Sequence, residues 1–341
     1  MTGKQEENRR RFLQKLIAGT SLIGFAPYLM SLGGCSKDDG TLEEDLPEDN
    51  IPSGEIPRRT LGNTGESISI YSLGGQGTLE EAWGHDKAVY IIDRAIDRGI
   101  NYIDTSAYYG TNARGISERY IGEVMKTRRD EVFLATKTLS RSYDGAKSDL
   151  EKSLNNLQTD KIDLWQMHSI RANENVDAIF AADGCLKAFE EARDQGIVRF
   201  LGITGHESPV PMKALIDRFP FDTVLMALNA ADKYYRSFME GLLPTAVEKK
   251  MGIIGMKIPA KGRIFDNDGI ITMKEAMSYT LSLPVSTIII GIREIAELEN
   301  NIQIAKEFAQ LSADELLAIE KKAEPHYKEL MFFKGLSNWP A

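Results

Sequence analysis

The 341-residue chain has two cysteines, Cys35 and Cys185, too few for a disulfide framework or for an iron–sulfur cluster that takes four thiolates. Its four histidines, His85, His168, His206 and His326, include no H-E-x-x-H pair and no other metal spacing, so no metal site is expected. Basic residues are outnumbered, 41 Lys and Arg against 50 Asp and Glu for a formal charge of −9, and no basic stripe marks a nucleic-acid footprint. A long apolar run is missing too. The stretch from Leu16 to Leu32 is diluted by Gly19, Thr20, Ser21, Gly24 and Pro27, and a permanent membrane span wants about 20 strongly apolar residues. Finally, the glycine-rich segment 73–81 (LGGQGTLEE) lacks the third glycine of G-x-G-x-x-G, which argues against a doubly wound dinucleotide fold.

What is present at the N-terminus reads as an address. Arg9, Arg10 and Arg11, followed by Phe12, Leu13 and Lys15, resemble the bacterial twin-arginine export signal. Leu32-Gly33-Gly34-Cys35 resembles a lipobox, in which cleavage precedes a cysteine whose thiol is then lipidated. Residues 1–34 are therefore expected to be a signal peptide and Cys35 a lipid anchor; an uncleaved N-terminal anchor is the alternative. Residues 36–55 set eight acids against Lys37 with almost no apolar side chain, so the 35–55 segment is an extended, solvated linker. Its Ser36-Lys37-Asp38-Asp39 start resembles surface-export signals of some Gram-negative lipoproteins, although a plain acidic spacer explains it equally. The expected location is outside the inner membrane, anchored by lipid at the periplasmic face or the cell surface.

From residue 56 a different rhythm begins. Apolar, β-branched runs occur at 67–73, 101–105, 132–138, 162–168, 199–204, 223–229, 252–258 and 286–292, and helical spacing fills segments such as 87–98, 146–157, 186–195 and 294–308. Eight strands alternating with helices, without a break in composition, predict a closed parallel (β/α)8 TIM barrel over residues 56–325. Segment 58–69 reads as a preceding hairpin that turns at Gly62-Asn63-Thr64-Gly65. Cys185 sits among helical apolar residues and reads as structural. The tail 326–341 is aromatic-rich and either covers the site or packs on the barrel side.

In such a barrel the chemistry gathers where the strands end at their C-terminal side. Three consecutive strands end in Asp104, Lys137 and His168, and Tyr109 follows the acid by five residues. These residues, within NYIDTSAYYG, FLATKT and DLWQMH, resemble the catalytic blocks of the aldo-keto reductase family. That resemblance implies NAD(P)-dependent interconversion of an aldehyde, ketone or sugar carbonyl and its alcohol, with a hairpin closing the barrel bottom. Tyr109 would give or take the proton, Lys137 would draw its pKa from about 10 toward neutrality, Asp104 would hold Lys137, and His168 would orient the carbonyl.

The resemblance also implies cofactor contacts. Thr204 and Gly205 would meet the nicotinamide carboxamide, with Asn229 as a possible substitute for the Gln that many members carry where this chain has Leu225. Met256 would pass the ring, and the stretch from Lys257 to Gly262 would run along the pyrophosphate. Gly291, Arg293, Glu297, Asn300 and Asn301 belong to the block that grips the adenosine phosphate at a helix N-terminus. NADP is the family's default; Glu297, standing where many members have Arg or Gln, would repel a 2′-phosphate and makes NAD possible. A monomer is expected from family habit. The competing reading is a cofactor-holding binding or sensing lipoprotein with little turnover.

Overall fold

The structure, a computed structural model, describes residues 54–111, 113–265 and 272–335, with Glu7 and Gln14 besides. The export motifs at Arg9–Arg11, the lipobox with Cys35, the acidic linker up to residue 53 and the last six residues of the tail lie outside the described residues.

A two-stranded antiparallel hairpin, β1 (Arg58–Thr60) and β2 (Ser67–Ser69), comes first. Eight parallel strands follow: β3 (Tyr71–Gly77), β4 (Tyr102–Asp104), β5 (Phe133–Thr138), β6 (Ile162–Met167), β7 (Val198–Gly205), β8 (Thr223–Ala227), β9 (Gly252–Met256) and β10 (Thr287–Ile292). Pairing of β10 with β3 closes the barrel. The helices that matter below are α1 (His85–Asp97), α2 (Ile116–Arg128), α3 (Tyr143–Leu157), α4 (Val176–Phe180), α5 (Cys185–Asp194), α6 (Pro209–Arg218), α7 (Phe238–Gly241), α8 (Leu243–Glu248), α9 (Met273–Leu281) and α10 (Ile295–Lys306). Every residue of β5, β6 and β8 is buried, as strands covered by helices outside and packed side chains inside must be.

The hairpin is a plug. Leu61 and Ile68 pack inside the barrel floor against Tyr102, Phe133, Leu164, Leu225 and Ile254. Gly62 makes this possible: its φ is +54°, and a Cβ there would lie 2.2 Å from the Gly252 amide nitrogen. A second apolar shell joins the outer strand faces to the helices, where Trp165 of β6 stacks on Phe189 of α5 at 3.8 Å between ring centroids. Cys185 is fully buried in this shell, and burial raises its thiol to about 11.

One strand differs from expectation. The run at 67–73 divides between β2 and β3, and the first barrel strand continues through Gly74, Gly75 and Gly77, which looked like loop in the sequence. Close approach explains the glycines: a Cβ on Gly75 would come within 2.7 Å of Ser117 Oγ and 2.8 Å of the Asp104 carbonyl oxygen. The strand carries no side chain there because the loop after β4 and the start of α2 lie directly against it.

Candidate active site

Strand β4 ends at Asp104, Lys137 is the last residue but one of the adjacent β5, and His168 is the first residue past β6. Their registers align them, since Asp104 pairs with Ala135 and Lys137 with Gln166. Lys137 and Asp104 are almost completely buried. Lys137 Nζ donates to Asp104 Oδ2 at 2.5 Å, to the Thr105 carbonyl at 2.7 Å and to the Tyr109 hydroxyl at 3.4 Å, which accounts for its three protons. The other Asp104 oxygen accepts from Gln166 Nε2 at 3.0 Å. Tyr109 reaches this cluster because the chain turns just after β4, where its amide donates to the Ser106 carbonyl at 3.0 Å.

Electrostatics follow from that geometry. Burial is the largest influence on Lys137 and would lower its pKa, but Asp104 and Tyr109 outweigh it, so the ammonium stays charged. Burial pushes the Asp104 carboxyl above the usual range while Lys137 pulls it back. For Tyr109 the expected descent toward neutrality does not occur: burial raises the phenol above its ordinary 10, and Lys137 only opposes this. The reason is geometric. The ammonium is 2.5 Å from the Asp104 carboxylate and 3.4 Å from the phenol, so most of its field is already compensated.

The imidazole of His168 lies edge-on to Tyr109, with ring centroids 5.6 Å apart. Burial first, then the charges of Lys137, His206, Arg141 and Lys257, push its pKa well below the usual value, so the ring is neutral at pH 7. Ser106 Oγ lies 3.2 Å from His168 Nδ1. The one hydroxyl proton has two acceptors in reach, Nδ1 at 3.2 Å and the Lys137 carbonyl at 3.5 Å; assigned to the nearer Nδ1, it leaves the ring proton on Nε2, where it can be donated into the site.

The candidate cofactor residues fall along one arc of the rim, from β7 to α10. Thr204 is buried, and its hydroxyl accepts from the Ser169 amide at 2.9 Å. Gly205 carries no side chain because Met212 of α6 fills the space: a Cβ would sit 2.3 Å from Met212 Sδ. Asn229 is held in place by donating to the Lys257 carbonyl at 3.0 Å and accepting from the Ala231 amide at 3.0 Å, which uses one of its two amide N–H groups. Met256 ends β9 at the edge of the inner apolar cluster.

Beyond Met256, Lys257, Ala260, Lys261 and Gly262 all have positive φ. Within this loop the Ala260 amide donates to the Lys257 carbonyl at 3.0 Å and the Gly262 amide to the Pro259 carbonyl at 2.7 Å, so the turn is tied by its own backbone and Lys257 is its candidate anion-facing group. Burial and then Lys261 lower the Lys257 ammonium to about 8, a crowding of positive charge that an anion would relieve. Further on, Gly291 approaches Gln76 so closely that a Cβ would lie 2.8 Å from its carbonyl oxygen. Arg293 and Asn300 are exposed. Asn301 is buried beside the Tyr71 hydroxyl, and neither its amide nor that hydroxyl has a well-formed hydrogen bond. These features fit a dinucleotide with a pyrophosphate and a hydrogen-bonding base.

Glu297 is a correction. Its carboxylate folds back to accept from the Arg293 amide at 2.8 Å and the Glu294 amide at 3.3 Å, closing a capping box on α10. Its carboxylate therefore caps the chain entering α10.

Several residues with a part in the site were not singled out from the sequence. Gln166 is a buried polar residue one position before the end of β6, and Ser106 adjoins the acid block; both positions carried a signal. Glu80 acts electrostatically on Tyr109 and on Lys257, and its carbonyl accepts from the Thr111 amide at 2.9 Å. Nothing local in the sequence marks it. The described part of the tail, 326–335, lies over the rim beside β7 and β8. The Phe333 carbonyl accepts from His206 Nδ1 at 3.3 Å, and Lys334 is buried in an ion pair with Asp232 at 2.5 Å. Trp83 stands exposed on the opposite rim, and His85 forms exposed ion pairs with Asp86 and Glu123.

A closed (β/α)8 barrel with a buried carboxylate–lysine–phenol chain and a neutral imidazole at its C-terminal rim is an oxidoreductase barrel. The chain belongs to the aldo/keto reductase family, whose profile matches residues 71–275. It is 27% identical over 309 residues to the Bacillus subtilis oxidoreductase YqkF, covering 77% of this chain and 95% of that one. It is 26% identical over 322 residues to L-galactose dehydrogenase of Arabidopsis thaliana, covering 83% and 98%. Among solved structures, an aldo-keto reductase from Klebsiella pneumoniae in complex with NADPH superposes with a TM-score of 0.65 at 20% identity, covering 79% of this chain and 95% of that one.

Proposed function

We propose that this protein interconverts a sugar or other hydroxylated carbonyl compound and its alcohol, using a nicotinamide dinucleotide held between the β7 and α10 ends of the rim. The observation that carries the reading is the Lys137 ammonium within 3.4 Å of the Tyr109 hydroxyl, beside a neutral His168. The sugar preference rests on likeness to L-galactose dehydrogenase, and NADP rests on the NADPH bound by the Klebsiella structure, with NAD as the alternative.

When bound, the dinucleotide supplies or accepts the hydride. The chain's own residues manage the rest. His168 Nε2–H donates to the carbonyl oxygen and orients it. Tyr109, neutral at physiological pH because burial holds its pKa high, donates its proton as negative charge develops on that oxygen. Lys137 stabilises the phenolate left behind, and Asp104 with Gln166 keeps the ammonium charged and fixed. In the oxidative direction the phenolate takes the proton back.

The test is single turnover. The full chain is purified, any nucleotide it carries is released for mass spectrometry, and aldoses and simple aldehydes are tested for oxidation of the reduced cofactor. Tyr109→Phe should lower turnover by at least about a hundredfold. A loss within tenfold overturns the role of Tyr109. Failure across the whole panel with nucleotide present favours the binding or sensing reading instead.

We infer also, from the sequence motifs alone, that the barrel is exported folded and anchored through Cys35. Reduced nucleotide is not maintained outside the inner membrane, so the cofactor would travel out already bound and be recycled in place by paired substrates. Intact-mass measurement of the protein from membranes should show a lipidated Cys35 N-terminus. A chain still beginning at Met1, or nucleotide lost readily on dialysis, overturns the corresponding half of this inference.

A further inference from the structure

The residue after His168 is conformationally unusual. Ser169 has φ +54°, a left-handed conformation that non-glycine residues take only when their surroundings hold them there. Two groups hold it there. On one side the Thr204 hydroxyl accepts from the Ser169 amide at 2.9 Å. On the other, Arg141, which lies just past the end of β5, donates through Nη2 to the His168 carbonyl at 2.8 Å and the Ser169 carbonyl at 3.4 Å.

Arg141 is itself fixed. Its Nε and Nη2 donate to the two oxygens of Glu174 at 2.9 and 3.0 Å, a bidentate pair, and Nη1 donates to the Leu139 carbonyl at 3.3 Å. The Glu174 carboxylate in turn accepts from the Arg171 amide at 3.2 Å. The guanidinium thus joins the strand end that carries Lys137 to the corner that carries His168. Nothing else in the described structure bonds both the His168 carbonyl and the segment after β5.

We propose that Arg141, clamped by Glu174, is a positioning residue for His168: by fixing the left-handed corner it holds the imidazole against Ser106 with Nε2–H aimed into the site. This rests on the proposed role of His168 for its catalytic consequence, but the structural claim is independent of turnover. Lysine cannot reproduce the planar fork, so Arg141→Lys is as informative as Arg141→Met. Glu174→Gln removes the clamp and leaves the arginine.

The full chain with 15N-labelled histidine has four imidazoles, and His168→Gln assigns the relevant one. Long-range 15N–1H correlation at pH 7 should show His168 as a single Nε2–H tautomer in the wild type. In Arg141→Met and Arg141→Lys it should show averaged tautomers, with Glu174→Gln intermediate and nucleotide binding, read by fluorescence quenching, within about threefold of wild type. With a turned-over aldose or aldehyde from the panel, Arg141→Met should lower kcat by roughly 10- to 100-fold. The same substitution in the His168→Gln background should cost less than about twofold, because the two residues act as one unit. An unchanged His168 spectrum in all three variants overturns the proposal whether or not a substrate is known. Additive losses in the double variant overturn it as well, by showing that Arg141 acts elsewhere.

Discussion

Lys137→Met tests the buried pair at the centre of the site. Methionine keeps most of the stem but removes the ammonium, leaving the Asp104 carboxylate buried with Gln166 Nε2 as its one remaining side-chain donor among the described residues. Two unit charges 2.5 Å apart attract by about 7 kcal/mol gross at an effective dielectric near 20. Relief of the ammonium's own desolvation returns part of this, and breaking one side of a buried pair typically costs about 3–5 kcal/mol. The loss should depend on pH in a defined sense. Burial already raises Asp104, and without Lys137 its folded pKa rises further above the unfolded value of about 3.9. A carboxyl raised in the folded state favours folding most at low pH and loses that contribution as pH rises through the folded pKa. Lowering the pH from 7 to 5 should therefore recover up to about 1.4 kcal/mol per unit. Urea denaturation of variant and wild type at pH 5 and pH 7 measures both quantities. An equal urea midpoint at pH 7, or a deficit that does not shrink at pH 5, would refute the assignment of Lys137 as the counter-ion that keeps Asp104 ionised.

Three other outcomes follow from local geometry. Lys334→Met leaves Asp232 buried without its cation and should cost about 3–5 kcal/mol, releasing residues 327–335 to limited proteolysis before the barrel unfolds; the order of cleavage checks this. Gly205→Asn should destabilise by roughly 1–3 kcal/mol and leave nucleotide affinity no better, because Met212 Sδ lies 2.3 Å from the new Cβ; thermal denaturation and a binding titration decide it. Lys257 is charged below its lowered pKa of about 8, so affinity for a dinucleotide should be full at pH 7 and decline as pH rises through that value; fluorescence titrations at several pH values should give a flat dependence in Lys257→Met.

The barrel was legible because seven of its strands fall in short, mostly apolar, β-branched runs and its helices keep an apolar face. The eighth was misplaced, since β3 runs through Gly74, Gly75 and Gly77, and glycines that admit a neighbouring loop cannot be told from glycines that form one. Asp104, Lys137 and His168 were visible as polar residues at matching strand ends. Their energetics were not, because the compensation of Lys137 by Asp104 depends on a difference of less than an ångström between two contacts. Glu297 shows another limit. A carboxylate in the first turn of a helix is equally suited to capping that helix or to facing a ligand, and only coordinates distinguish the two. Arg141 escaped notice for a related reason: it acts through the backbone of a segment 27 residues away, and backbone acceptors leave no mark in a sequence.

The raised Tyr109 pKa bears on the direction of the chemistry. A phenol brought to neutrality would be half ionised in the resting protein, equally ready to give or to take a proton. Here Asp104 neutralises most of the ammonium, and burial keeps the phenol protonated. A protonated phenol beside a neutral Nε2–H imidazole presents two donors and no base, which is what a carbonyl oxygen gaining negative charge requires. Once the proton has moved, the phenolate at 3.4 Å becomes a second anion for Lys137, so the ammonium's attraction matters more after transfer than before it. Such an arrangement stabilises the developing charge more than the resting state, and that difference, more than any depression of the resting pKa, is what lowers a barrier. On the proposed mechanism this resting protonation would favour reduction at neutral pH, with oxidation drawing on the same residues once the phenol is ionised.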